Sequence, residues 1–189
     1  MHISGKPIES AIRAHKWKEA RRVIRLALRE QPDNHWLLTR LSLTYYEQYD
    51  YERALSYSQR ALLLAPRCPL VLWDYAGDLD MIGRKTEAAR IYHRLLRRGV
   101  HSLAYDPCGE GLARARGLFA DSLYRLAHCY RDLGQHRKAV AYLSKHILQR
   151  GPGCHSIYSN GQVCKELKQL TLQRITASPV RASARLTSE

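Results

Sequence analysis

Between residues 35 and 67 the apolar positions fall three and four apart in two runs, Leu38, Leu41 and Tyr45, then Ala54, Leu55, Ala61, Leu62 and Leu64. That spacing gathers them on one face of each of two helices. Tyr49-Asp50-Tyr51 marks the turn between them, and Pro66, which lacks an amide proton and clashes with the preceding turn, ends the second. The next run is built alike. Leu72, Tyr75, Ala76 and Leu79 predict a first helix, and Gly83 a turn that needs positive φ. Ala88, Tyr92 and Leu95 predict a second helix ending near Arg98-Gly99. Leu123, Leu126, Ala127, Tyr130, Gly134 and Ala139 then reproduce Leu72, Tyr75, Ala76, Leu79, Gly83 and Ala88.

The small residues keep a fixed interval. Ala20, Ala27 and Pro32 return 34 residues later as Ala54, Ala61 and Pro66. Antiparallel helices approach closely only where side chains are short, so the alanines mark the contact line. Trp17 and Ile24 fit the same template more weakly, with Ile8, Ala11 and Ile12 as a short first helix. The third unit arrives 17 residues late. Part of that insertion is turn-like, from Asp106 to Gly111, and Leu112, Ala115 and Phe119 lead without a break into the stripe of Leu123. The pattern predicts one long helix from about Glu110 to Leu133, preceded by a loop. The period is lost after Gly151-Pro152-Gly153; Ser159-Asn160-Gly161 reads as a turn, and Val163, Leu167, Leu170 and Ile175 predict an amphipathic helix over the last unit. The expected division is a degenerate capping repeat at 1–34, repeats at 35–68 and 69–100, the insertion at 101–119, a repeat at 120–152, a capping helix at 153–176 and a mobile tail at 177–189.

The stride, with Leu38, Leu41, Ser42, Tyr45, Ala54, Ala61 and Pro66 in one unit and Leu123, Leu126, Ala127, Tyr130 and Ala139 in another, resembles the tetratricopeptide repeat family. The chain departs from the family pattern with leucine in place of the first tryptophan, Leu79 in place of tyrosine, and Gly151 near the expected terminal proline. The resemblance implies an all-α, right-handed superhelical stack of antiparallel helix pairs, a TPR-like α-solenoid. The first helices would line a concave groove that holds a peptide or partner helix, and the protein would be a scaffold or adaptor, not an enzyme.

The register then gives the inner wall. It draws on Thr39, Leu43 and Tyr46, next on Trp73, Asp74, Gly77 and Asp80, and last on Tyr124, Arg125, His128 and Arg131. Aromatic and arginine side chains are the usual interface anchors. The wall is zoned, acidic around Asp74, Asp78 and Asp80 and basic around Arg125 and Arg131, which would set the direction of a bound peptide. Only Arg125 among the matching positions suits a terminal carboxylate, so a carboxylate-clamping role is disfavoured.

With 45% hydrophobic residues in 189, the chain has enough apolar mass for a packed domain. The net charge of +14 changes the list of partners. Arg21, Arg22, Arg25 and Arg29 on one helix and Arg94, Arg97 and Arg98 on another form a candidate polyanion patch, making a nucleic-acid- or ribosome-associated protein the second reading. No apolar stretch reaches membrane-spanning length and the N-terminus lacks a signal-peptide core, so a cytoplasmic location with reduced thiols is expected. Cys108, Cys154-His155 and Cys164 lack zinc-signature spacing, and His128-Cys129 neighbours point apart on a helix. The sequence therefore predicts no metal, no cofactor and no catalysis.

Overall fold

The computed structural model describes residues 5–176, with side chains through residue 172. The expected tail at 177–189 lies outside the described residues, as does the side chain of Ile175. The described chain is helical throughout: α1 (Lys6–Arg13), α2 (Trp17–Glu30), α3 (His35–Tyr46), α4 (Tyr51–Leu64), α5 (Pro69–Met81), α6 (Lys85–Tyr105), α7 (Leu112–Asp132), α8 (His136–Gln149) and α9 (Asn160–Thr176). Consecutive helices pair, and α3 also touches α5, as α5 touches α7, so the pairs stack side by side. None of these helices is long and apolar enough to cross a membrane.

The periodic alanines sit where close approach requires them. Ala20, Ala27, Ala54, Ala61, Ala88 and Ala139 are fully buried. Leu64, by contrast, lies on the outer side of α4 and is exposed. The turns use the chemistry of the sequence: Gly83 and Gly134 take φ of 84° and 71°, and Tyr49 takes 63°. Asn34 caps α3, its Oδ1 accepting from the Leu37 amide at 3.2 Å. Replacing Asn34 with alanine orphans that amide, and is expected to lower stability by about 1 kcal/mol, read by urea denaturation.

The insertion differs from expectation in its first half. Residues 100–105 are not loop: α6 runs on to Tyr105, turning sharply at Gly99, whose φ is 71°. Val100, Leu103 and Ala104 resume helical spacing beyond the kink, and Leu103 and Ala104 are buried against the cluster of Leu72, Leu79, Tyr92, Leu95 and Leu126. That burial overrides the punctuation by glycine. The loop at 106–111 then doubles back tightly. The Gly111 amide donates to the Ala104 carbonyl at 3.2 Å, and a Cβ on Gly109 would overlap that same carbonyl. At the far end, Val163 and Leu170 of α9 pack with Tyr124, Ala127 and Leu143.

Candidate functional site

The first helices α3, α5 and α7 bring the expected wall residues together, but the polar ones bond mainly to one another. Arg125 of α7 reaches Asp80 of α5 at 2.9 Å, and donates to the hydroxyls of Tyr92 at 3.3 Å and Tyr46 at 3.4 Å. Asp80 also holds Lys85 at 2.6 Å, and Lys85 holds Asp132 at 2.9 Å, which in turn pairs with Arg131 at 2.9 Å. A second chain of charges runs from Glu9 through Arg40, 3.3 Å away, to Asp74 at 3.8 Å.

The acidic zone is therefore not a solvated one. Asp78 is 1% exposed and Asp80 4%. The Asp78 Oδ2 accepts from Ser42 at 2.9 Å and from Ser58 at 2.5 Å. Burial pushes its carboxyl up to about 7, with the two serine hydroxyls acting the other way. Burial likewise raises Asp74 to about 7 against the pull of Arg40.

Several wall positions do not face a free groove. Thr39 is fully buried, its hydroxyl donating to the Trp36 carbonyl at 2.8 Å, because the neighbouring turn of α3 is packed on both sides. Leu43 is half-buried. At Gly77 a Cβ would meet only the edge of the Tyr46 ring, at 3.8 Å. Tyr124 and His128 face the chain's own C-terminal segment. Tyr124 stacks on Tyr158 with centroids 3.9 Å apart and donates to Glu166 at 2.6 Å, while His128 Nε2 lies 2.8 Å from the other Glu166 oxygen. Burial, then the nearby Arg131, lowers the His128 pKa, although Glu166 opposes both. Helix α9 thus occupies the stretch of wall that the sequence leaves to a partner.

Trp73 is different. It is half-buried, meets Tyr92 edge-on at 5.7 Å, and lines a cavity of about 450 Å³. Pro69 and Leu70 of α5, Leu103 of the extended α6, and Ala115 and Leu118 of α7 add to the apolar lining, Cys108 stands in the wall, and Glu110, Arg114 and Asp121 are its charged groups. Ile157, 72% exposed, and His155 close one side. The segment carrying them lies flat on α7 because Gly117 has no side chain: a Cβ there would overlap the His155 carbonyl. Asp121 fastens it, accepting from the Ser156 hydroxyl and from the Ile157 amide at 3.3 Å. Burial raises the Asp121 pKa, partly offset by these bonds. Leu103, Leu118 and Ile157 come from the insertion and the aperiodic C-terminal loop, where no repeat register assigns a facing. The available signal was the continued apolar spacing on either side of residues 106–111.

The arginines of the candidate polyanion patch divide between α2 and α6. Arg22, Arg25, Arg29 and Arg97 are exposed. Arg21 donates to the Thr44 carbonyl at 3.1 Å and Gln48 at 2.5 Å, and Arg25 to the Tyr45 hydroxyl at 2.6 Å. Arg94 donates to the Pro66 carbonyl at 3.0 Å, and Arg98 to the Arg67 carbonyl and to Asp106 at 3.1 Å. These side chains stitch neighbouring helices as well as carrying charge.

Residues 120–147 match the sequence profile of the tetratricopeptide repeat. No match is found among curated protein sequences. Among solved structures the chain is similar to a crystal structure of MamA at 17% identity, covering 98% of this chain and 95% of that one with a TM-score of 0.59. It is similar to the apo form of RapI at 16% identity and a TM-score of 0.72, covering 89% of this chain and 62% of RapI. The tetratricopeptide domain of Sgt2 from Aspergillus fumigatus, at 15% identity, covers 82% of this chain and 89% of the domain with a TM-score of 0.54. At these identities the likeness is one of fold.

Proposed function

Since the chain has the tetratricopeptide-repeat fold, with residues 120–147 matched to the repeat itself, we propose that it is a non-enzymatic scaffold that grips a peptide segment of a protein partner at the Trp73 cavity. The fold is one used generally for protein interaction. One observation supports the placement: an indole left half-exposed over a largely apolar cavity of about 450 Å³, while most polar residues of the expected wall bond to one another or to α9. The volume suits one or two apolar side chains, and the rim charges Glu110 and Arg114 lie where a peptide backbone or polar neighbour would pass.

The test is selection of peptides from a random library on the immobilised protein, followed by calorimetry with the selected sequences. Trp73→Ala is expected to weaken binding at least about tenfold, or about 1.4 kcal/mol, with helicity unchanged by circular dichroism. Leu118→Asp, which puts a charge in the cavity, is expected to do the same. Undiminished binding by both variants would remove the cavity from the reading; failure to select any peptide would remove peptide binding itself.

A further inference from the structure

We propose that His35, Cys68 and Cys108 form a site for a soft, thiolate-preferring divalent cation of the zinc class. The three donors are remote in sequence and come from three elements: His35 is the first residue of α3, Cys68 is the N-cap of α5, and Cys108 sits in the loop at 106–111. Their ligand atoms all lie within 4.8 Å of one another, and Cys108 Sγ is 3.4 Å from His35 Nε2. Tetrahedral zinc, with Zn–S near 2.3 Å and Zn–N near 2.0–2.1 Å, places neighbouring donors roughly 3.5–3.8 Å apart. The sulfur–nitrogen pair, at 3.4 Å, is within about 0.1 Å of that spacing, and closing a gap of 4.8 Å takes about 1 Å.

The loop holds its thiol there by construction. Cys108 adopts φ of 69°, a left-handed conformation that non-glycine residues seldom take and that a surrounding structure must enforce. The Gly109 amide bonds back to the Asp106 carbonyl at 2.8 Å, and Asp106 is anchored by Arg98 at 3.1 Å, by Arg67 at 3.6 Å and by Ser102. Arg67 directly precedes Cys68, so this ion pair joins the loop of Cys108 to the start of α5.

The donor chemistry fits. One imidazole nitrogen and two sulfurs are a donor set that zinc-class cations take. Burial and the neighbouring Cys108 thiol push the Cys68 thiol up to about 11, against the Val71 and Leu70 amides at the start of α5, so a cation must displace a firmly held proton. Binding converts two thiols to thiolates and releases two protons to solvent, so affinity rises with pH. Three protein donors leave a fourth tetrahedral position for water. The cation would join the inserted loop to the starts of α3 and α5.

The experiment uses the full chain, reduced and stripped with chelator, then titrated with Co²⁺ and back-titrated with Zn²⁺. The expected result is one equivalent of tetrahedral cobalt with thiolate-to-cobalt charge-transfer absorption, displaced by zinc. Cys108→Ser is expected to weaken uptake by more than the roughly 10–100-fold that loss of an outer-shell partner costs. Cys68→Ser should do so without unfolding, because serine is a favoured N-cap and Cys68 holds that position. The double variant Cys154→Ser with Cys164→Ser should leave uptake unchanged. No charge-transfer band, a band retained in Cys108→Ser, or a band lost in the Cys154/Cys164 variant each overturns the assignment.

Discussion

Replacing Arg125 with alanine is expected to lower the free energy of unfolding by roughly 3–5 kcal/mol, the cost of removing one partner from a buried ion pair. The guanidinium is 17% exposed and the Asp80 carboxylate 4%, so neither is solvated well enough to recover its hydration when the other leaves. Lys85 remains beside Asp80, but it is shared with Asp132. The Tyr46 and Tyr92 hydroxyls also lose a donor at once. The network crosses three helices, α3, α5 and α7, together with Tyr92 of α6, so its loss loosens the stacking of one pair on the next. Chemical denaturation measures the change, and a loss under 1 kcal/mol would show that Arg125 is an ordinary surface cation. The double variant Arg125→Met with Asp80→Leu should recover much of the stability, because apolar replacement of a whole buried pair is frequently neutral or better.

The helix pairing was legible in advance because it rests on local rules. Alanines such as Ala54 and Ala61 can be small for one reason, close helix contact, and both are fully buried. The facing of the polar wall was less legible. Asp74, Asp78 and Asp80 read as an acidic zone of the groove wall, yet burial of Asp78 follows from its neighbours in space. Ser42 and Ser58 stand at interior positions where the stripe would otherwise be apolar, and both hydroxyls bond to it. Two small polar residues on buried faces were the sign that a polar partner lay between them. Tyr124 and His128 looked free because the period stops before α9; nothing in the register said that Glu166 would return across α7. The juxtaposition of His35, Cys68 and Cys108 was invisible to spacing, since it depends on a loop folding back after a helix that the glycine at 99 had seemed to end.

The pH dependence of stability is the second large effect expected. Asp78 holds its proton in the folded chain up to about 7, against an ordinary value of 3.8. Between pH 4 and 7 the folded state therefore binds more protons than the unfolded one, and the unfolding free energy falls as pH rises. The contribution is complete below about pH 4, is lost as pH rises through about 7, and is constant above that. A rise of about three units corresponds to roughly 4 kcal/mol at 1.36 kcal/mol per unit. The groups around Asp78 are Ser42 on α3, Ser58 on α4 and Asp74 one turn away on α5; Tyr46 also lies within its field. Each serine carries one proton and has a carbonyl as a second acceptor, that of Ala54 for Ser42 and Leu55 for Ser58. A protonated Asp78 adds one donor to the group, so that one of the two serines can turn its own proton to its carbonyl while the other still donates to the carboxyl. Histidines oppose the trend: burial lowers the pKa of His128 and His146, so the unfolded chain gains protons there below about 6.5 and stability falls with acid. Asp78→Asn separates the two, because the amide is neutral at every pH and leaves the histidines alone. Relative to wild type, the variant is expected to gain about 3–4 kcal/mol on going from pH 4.5 to pH 8, measured by urea denaturation at each pH. Parallel stability profiles for the two proteins would mean that Asp78 is ionised throughout, and that the serines suffice to hold a buried charge.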